Sequence, residues 1–265
     1  MRKEPHIHRL RRVAIGATVA GSLLLAGCGA LRDDSGRPLT TLNPKGKQAQ
    51  SIDDLVSPVF WVAGVVFVLV QVGVIYMVIR FRRREDDVDG VDEPVQTHGI
   101  PALEWAWTGL PLVVLVALGV LNAKTILDLE KTPDDAIDVE VYGQQWWWEY
   151  RYDVDGDDQP DIITANQMVV PAGRHIHLKI RSNDVIHSFW IPAFRLKIDA
   201  LPGRTTFMTV KPTELGSYNE DAAYRIQCAE LCGLDHSGML FPVKVVSQDE
   251  FKEWVNSQTA AAKGQ

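Results

Sequence analysis

The sequence predicts a two-helix transmembrane hairpin followed by an all-β sandwich. Three observations carry this reading. Two long apolar runs fall before residue 128 and almost none after it. From residue 137 onward, apolar side chains recur at every second position in several short runs, the period of a half-buried strand. Turn-rich stretches, "DVDGDDQPD", "VPAGR", "LPGR" and "ELGS", separate those runs, as expected of a sandwich or barrel built from short strands. The stretch from 128 to 265 is long enough to bury its own core.

In chain order, residues 1–27 read as a signal peptide. Basic residues up to Arg12 precede an apolar run ending "LLLAGC", too short to span a bilayer. The order "LAGC" resembles a bacterial lipobox, so cleavage before Cys28 would free that cysteine for diacylglyceryl attachment. Residues 28–54 read as an exposed tether, rich in Gly, Pro, Thr, Lys and Asp. The hairpin occupies 55–127. Its first span, Leu55 to Ile79, is apolar apart from Ser57 and Gln71 and exceeds the roughly 20 residues a bilayer requires. Arg80, Arg82, Arg83 and Arg84 follow it and place that end in the cytoplasm. The polar stretch 85–97 is then a cytoplasmic loop.

The second span, Ala102 to Leu127, returns the chain to the outside. Pro111 is expected to kink it, and Trp105 and Trp107 lie where indoles favour the interface. Glu104 stands at its inner start. A carboxylate there stabilises a helix N-terminus. An acid beside a membrane segment is also a candidate for proton handling.

The external domain is assigned to 128–255, with 256–265 as a tail. Ile137, Val139 and Val141 alternate, as do Trp146, Trp148 and Tyr150; Ile176, Leu178 and Ile180; and Tyr224, Ile226 and Cys228. Trp146 and Trp148 are expected on one strand face and Trp147 on the other. From residue 128 there are 22 Asp/Glu and 13 Lys/Arg. Such acidity suits a basic partner, or solubility alone, and argues against nucleic acid. "DVDGDDQPD" lacks the Gly and Glu positions of a calcium loop and reads as an acidic hairpin turn.

The stretch "CAELCGLDHSGM", residues 228–239, carries the chemistry. A disulfide is the default for a cysteine pair in an oxidising compartment, but it needs no nearby His236 or Met239. Structural zinc prefers four Cys/His ligands. A thioether is soft and selects copper, and a blue-copper site joins two His, one Cys and a weak axial Met. Cys232, His236 and Met239 have that flavour, and His187 in "NDVIHSFWIP" is the candidate first histidine. His175 and His177 read as surface residues. Cys228 is one thiolate too many for a single copper, so the set suits two copper ions bridged by both sulfurs and hence electron transfer.

"HSFWIPAFRLKIDALPGR" followed by "CAELCGLDHSGM" resembles the binuclear copper (CuA) region of cytochrome c oxidase subunit II. "GQQWWWEY" is similar to that family's aromatic segment, and "LEWAWTGLP" to the start of its second membrane helix. The resemblance covers about residues 50–255. It implies a cupredoxin-like Greek-key sandwich with His187, Cys228, Cys232, His236 and Met239 as copper ligands. Glu230 would offer its carbonyl to copper and its side chain to magnesium at the contact with subunit I. Trp146 would receive electrons from a c-type cytochrome, and Glu104 would stand at a proton-uptake path. Asp199 would face subunit I.

The resemblance further implies a lipid-modified subunit of a proton-pumping oxidase in a bacterial plasma membrane, with oxygen reduced in subunit I. The donor would be soluble, or fixed in a supercomplex with a bc-type complex. Gln144, Trp147 and Arg195 depart from the usual family pattern, on the donor-facing or subunit-facing surface. The alternatives are a quinol oxidase subunit, which would lack the copper ligands, and a membrane-tethered copper module outside an oxidase.

Overall fold

The computed structural model describes residues 41–82 and 98–263. The signal peptide, Cys28 and the loop at 85–97 lie outside them. Helix α1 runs Lys47–Arg80 and α2 runs Pro101–Leu129. Pro101 sits in the first turn of α2, where its missing N–H costs nothing and its fixed φ suits a helix. Pro111 lies inside α2 and the helix continues through it. Both helices are long and apolar enough to cross a membrane. Little of their apolar surface is buried among the described residues: Ala49 is the sole buried residue of α1 and α2 has none. Large side chains such as Trp61, Phe67 and Leu115 stand exposed. Apolar area on that scale belongs against lipid or neighbouring helices rather than water.

The eleven strands that follow are β1 Ile137–Gln144, β2 Trp147–Asp153, β3 Ile162–Ala165, β4 Met168–Pro171, β5 Ile176–Ser182, β6 His187–Ile191, β7 Leu196–Ala200, β8 Thr206–Val210, β9 Gly216–Ser217, β10 Arg225–Cys228 and β11 Leu240–Val246. One sheet has the order β3-β2-β1-β5-β8, the other β4-β11-β10-β6-β7, with β9 against β11. β1 pairs with β5, and β4 with β11, in parallel; the other ladders are antiparallel. The alternating sets of the sequence face inward: Val139, Val141, Tyr150, Leu178, Ile180 and Ile226 are fully buried. Each such aliphatic side chain contributes about 1.5–3 kcal/mol on burial.

Trp148 is fully buried between the sheets, but Trp146 is not its strand mate. β1 ends at Gln144 and β2 begins at Trp147, so Trp146 lies in the tight connection and the expected three-tryptophan strand is corrected. The acidic stretch is a hairpin turn between β2 and β3. Asp153 accepts the backbone N–H of Gly156 at 2.7 Å and of Asp158 at 2.9 Å, so its carboxylate closes the turn.

Two boundaries differ from expectation. The sequence leads one to expect an exposed tether through residue 54, yet the helix begins at Lys47 and the segment before it is strapped to the sandwich. Lys45 N–H donates to Ala193 O at 3.0 Å, Thr213 N–H to Lys45 O at 3.0 Å, and Lys47 N–H to Lys211 O at 2.9 Å. Arg195, held at φ 54°, pairs with Asp53 at 2.6 Å and also donates to the Thr41 carbonyl. The polar composition of 41–54 is thus met by partners far along the chain.

The assigned tail 256–265 is likewise largely helical. Helix α3 runs Gln248–Lys263. Ser247 and Glu250 form its capping box: the Ser247 hydroxyl accepts Glu250 N–H at 3.2 Å, and the Glu250 carboxylate accepts Ser247 N–H at 2.9 Å. Phe251 is buried, and Trp254 packs edge-on against Tyr152 at 5.1 Å.

Candidate metal centre

Strands β6 and β10 lie side by side, with Cys228 opposite Phe189. This register brings His187, at the start of β6, beside Cys228, at the end of β10. The loop after β10 then folds back, and Cys228 N–H donates to Met239 O at 3.2 Å. A short 3-10 turn at His236–Gly238 aims His236 inward. The five side chains singled out in the sequence therefore meet. Cys228 Sγ lies 3.8 Å from Cys232 Sγ and 3.9 Å from His187 Nδ1. Cys232 Sγ lies 3.6 Å from His236 Nδ1 and 3.4 Å from Met239 Sδ. The Glu230 carbonyl stands 3.2 Å from Cys228 Sγ while its side chain is exposed.

Both cysteines are free and buried, with their sulfurs 3.8 Å apart rather than bonded. His187 is fully buried and its Nε2 lies 2.8 Å from Asp184 Oδ1, leaving Nδ1 to face the sulfurs. Such an outer partner fixes which ring nitrogen is offered to a metal. Burial alone would lift the Cys228 thiol. The contact with His187, helped by the backbone at Ser188 and Glu230, reverses this and brings it down to about 6. Burial and the neighbouring Cys228 charge push Cys232 up to about 12. Burial disfavours a charged His187, yet the Cys228 and Asp184 contacts outweigh it and raise its pKa.

Two side chains of this site were not read from the sequence. Asp184 also accepts Gln145 N–H at 2.7 Å, and Gln145 Nε2 donates to Cys232 O at 2.7 Å. Together they join the β1–β2 connection, the His187 turn and the loop that follows β10. The only available signal was an Asp three residues before the histidine in a turn-forming "SND". Close approach also depends on Gly143: a Cβ there would stand 3.0 Å from the His187 ring and 3.0 Å from Trp148. Trp148 meets His187 edge-on at 5.7 Å.

Trp146 is half-buried against the same loop; a Cβ on Gly233, at φ +124°, would stand 3.2 Å from its ring. Glu104 is far from this cluster in sequence and fold, exposed in the first turn of α2. Asp199 is exposed on β7. His177 is partly buried rather than a plain surface residue: it stacks on Phe207 and its ring nitrogen lies 3.2 Å from both Thr132 and Thr209 hydroxyls. His175 is also largely covered, with Asp135 at 3.8 Å.

Two thiols, two imidazoles and a thioether, converging in a pocket closed by buried side chains, fit copper by their softness. The fold and this donor set define a membrane-anchored protein of the cupredoxin class. Profiles of cytochrome C oxidase subunit II match the chain twice, the transmembrane domain over residues 44–124 and the periplasmic domain over 154–246. Cytochrome c oxidase subunit 2 of Alkalihalophilus pseudofirmus is 35% identical over 247 residues, covering 90% of this chain and 66% of that protein. The Cereibacter sphaeroides subunit 2 is 29% identical, covering 90% and 89% respectively. A protein of Rickettsia bellii described as "Probable cytochrome c oxidase subunit 2" is 31% identical, covering 71% and 72%. Among solved structures, the periplasmic domain of cytochrome oxidase subunit II of Bradyrhizobium japonicum is 32% identical, covering 49% of this chain and 99% of that one, with a TM-score of 0.43. The chain belongs to the cytochrome c oxidase subunit II family.

Proposed function

We propose that the chain is the electron-accepting subunit of a proton-pumping cytochrome c oxidase in a bacterial plasma membrane, its sandwich outside. The observation that carries this reading is the convergence of His187, Cys228, Cys232, His236 and Met239 with the Glu230 carbonyl. These six groups would hold two copper ions. When bound, such a centre supplies a one-electron relay whose charge is shared over two metals and two sulfurs.

The chain's own residues supply the setting. Asp184 orients His187, and Gln145 ties the copper loop to the β1–β2 connection. Buried Met239 and Trp148 keep water from the inner side. Trp146 covers the loop and offers an indole to a docked haem edge. The acidic sandwich attracts a basic c-type cytochrome, free or held in a supercomplex with a bc-type complex. Oxygen reduction belongs to subunit I, toward which Asp199 and the Glu230 side chain are directed, the latter as a magnesium ligand. Metal analysis of the copper-loaded full-length chain should give two coppers per chain. One copper with an ordinary blue-copper spectrum overturns the reading.

Two further roles have their own tests. Cys28, outside the described residues, is the lipidation site implied by "LAGC". Mass spectrometry of the mature N-terminus should find it diacylglyceryl-modified, and an intact Met1 terminus in the mature complex refutes this. Glu104, exposed at the inner end of α2, serves proton uptake with subunit I. Glu104→Ala should slow steady-state turnover and leave reduction of the copper centre at its normal rate. Equal slowing of both steps means that Glu104 only braces the subunit contact.

A further inference from the structure

The outer ends of α1 and α2 meet the underside of the sandwich around a cavity of about 420 Å³, lined by Lys47, Gln48, Ser51, Asp128, Lys131 and His175 among others. A second cavity, of about 310 Å³, shares Ser51 and Asp128 with it and continues between the helices to Leu55, Pro58, Leu118 and Leu121. Along α1 the walls change from Lys47 to Pro58, and eleven helical residues span about 16 Å. The cleft is thus polar at the level where the helices leave the membrane and apolar where the hydrocarbon begins.

Its walls carry Lys47, Lys124 and Lys131 against Asp54 and Asp128, a small positive excess beneath an acidic domain. The chain from residue 128 is strongly acidic, yet lysines gather here. Lys47 and Lys124 make no direct ion pair among the described residues; Lys131 pairs with the exposed Asp128 at 2.6 Å, and that one carboxylate also lies in the field of Lys124 and Lys47. Lys211 is drawn in by its backbone, whose N–H donates to Gln48 Oε1 at 2.8 Å and whose carbonyl accepts Lys47 N–H at 2.9 Å. The first turn of α1 carries no acid, so its N–H dipoles add to the positive field. His175 feels that field: burial, then the Lys211 and Lys47 charges, hold its pKa below the ordinary value despite Asp135.

We propose that this cleft binds an anionic glycerophospholipid. The phosphate lies among Lys47, Lys131 and Ser51, and an acyl chain lies along Leu55, Leu118 and Leu121. Basic groups beside a transmembrane helix favour anionic headgroups, at about a fivefold gain in affinity per lysine. A lipid seated here would brace the sandwich at a fixed height over the hairpin, next to the strap formed by residues 41–46.

The test uses the full-length chain in detergent, presented with equal phosphatidylglycerol and phosphatidylcholine of matched acyl chains and read by native mass spectrometry. Phosphatidylglycerol should be retained in preference, and Lys47→Gln with Lys131→Gln should cut that preference roughly 25-fold. The control pair Lys244→Gln and Lys252→Gln, neither lining the cleft, should leave it intact. Equal retention of the two lipids, or an unchanged preference in the Lys47/Lys131 variant, overturns the proposal. Displacement of the lipid by millimolar inorganic phosphate overturns it too, in favour of a soluble anion. In the assembled oxidase, a photo-reactive benzophenone side chain at position 51 should gain the mass of a phospholipid. A crosslink to another oxidase subunit instead shows that protein, not lipid, fills the cleft, and refutes the assignment.

Discussion

Cys228→Ser is expected to abolish the delocalised mixed-valence EPR signal of the copper-loaded chain. Cys228 Sγ stands at the crossing of the donor set, 3.8 Å from Cys232 Sγ, 3.9 Å from His187 Nδ1 and 3.2 Å from the Glu230 carbonyl. Each half of the cluster meets the other through it. A serine hydroxyl is a hard donor that stays protonated at neutral pH, so it cannot replace a soft thiolate shared between two metals. Among the remaining donors, His236 Nδ1 and Met239 Sδ still lie 3.6 Å and 3.4 Å from Cys232 Sγ. They form a set suited to one copper. The variant should therefore bind about half the metal and change its spectrum from delocalised to localised. The sandwich should survive, because Cys228 and Ser differ by one atom and the strand pairing of β10 uses backbone groups. Copper analysis, EPR and a thermal melt on the same sample separate these effects. An unaltered mixed-valence signal in the serine variant would remove Cys228 from the site and with it the binuclear reading.

The ease with which the site could be read follows from where its parts lie. Four of the five ligand side chains fall within twelve consecutive residues, 228–239, so their spacing alone carries the chemistry. His187 was reachable because its motif is distinctive, although only the β6–β10 ladder explains why it meets Cys228. The inward faces of the strands were legible for a similar reason. A period of two is local, and Val139, Leu178 and Ile226 obey it. What escaped was set by distant partners. The strap at 41–46 depends on the Ala193 carbonyl and the Thr213 N–H, both bonded to Lys45, and nothing in its own polar composition distinguishes it from a loose tether. Asp184 and Gln145 act on the site through hydrogen bonds across the fold, and the parallel pairing of β1 with β5 has no signature in either strand. The α3 cap is different. "SQDE" is a capping box in plain sight, and the helix it starts was legible.

The second large effect is expected at Trp146, where Trp146→Gln should lower the rate of electron transfer from the cytochrome by orders of magnitude. The run of three tryptophans suggested a strand in which Trp146 and Trp148 share a face. The fold divides their labour instead. Trp148 is the core residue, fully buried and packed edge-on against Phe189 at 5.0 Å and His187 at 5.7 Å. Trp146 sits outside both strands, half-buried, with its ring against Gly233 of the copper loop. It spans from the solvent side to the loop that carries Cys232, whose carbonyl is held by the adjacent Gln145. On the proposed reading, an indole there would give a docked haem edge a π-rich contact beside the loop that carries Cys232. Glutamine shortens that contact and leaves the five ligand side chains untouched, so the copper spectrum should persist. Donor affinity should change little, because exposed charges govern the encounter and its salt dependence. Losing part of a half-buried indole costs about 1–3 kcal/mol of stability, which a sandwich built around Trp148, Tyr150 and Phe189 can absorb. Stopped-flow reduction of the copper-loaded variant by the native cytochrome, at several ionic strengths, reads rate and affinity separately. Transfer at the wild-type rate, or a variant that loses the copper spectrum with its fold, makes Trp146 a packing residue like Trp148 and moves the site of electron arrival elsewhere on the loop.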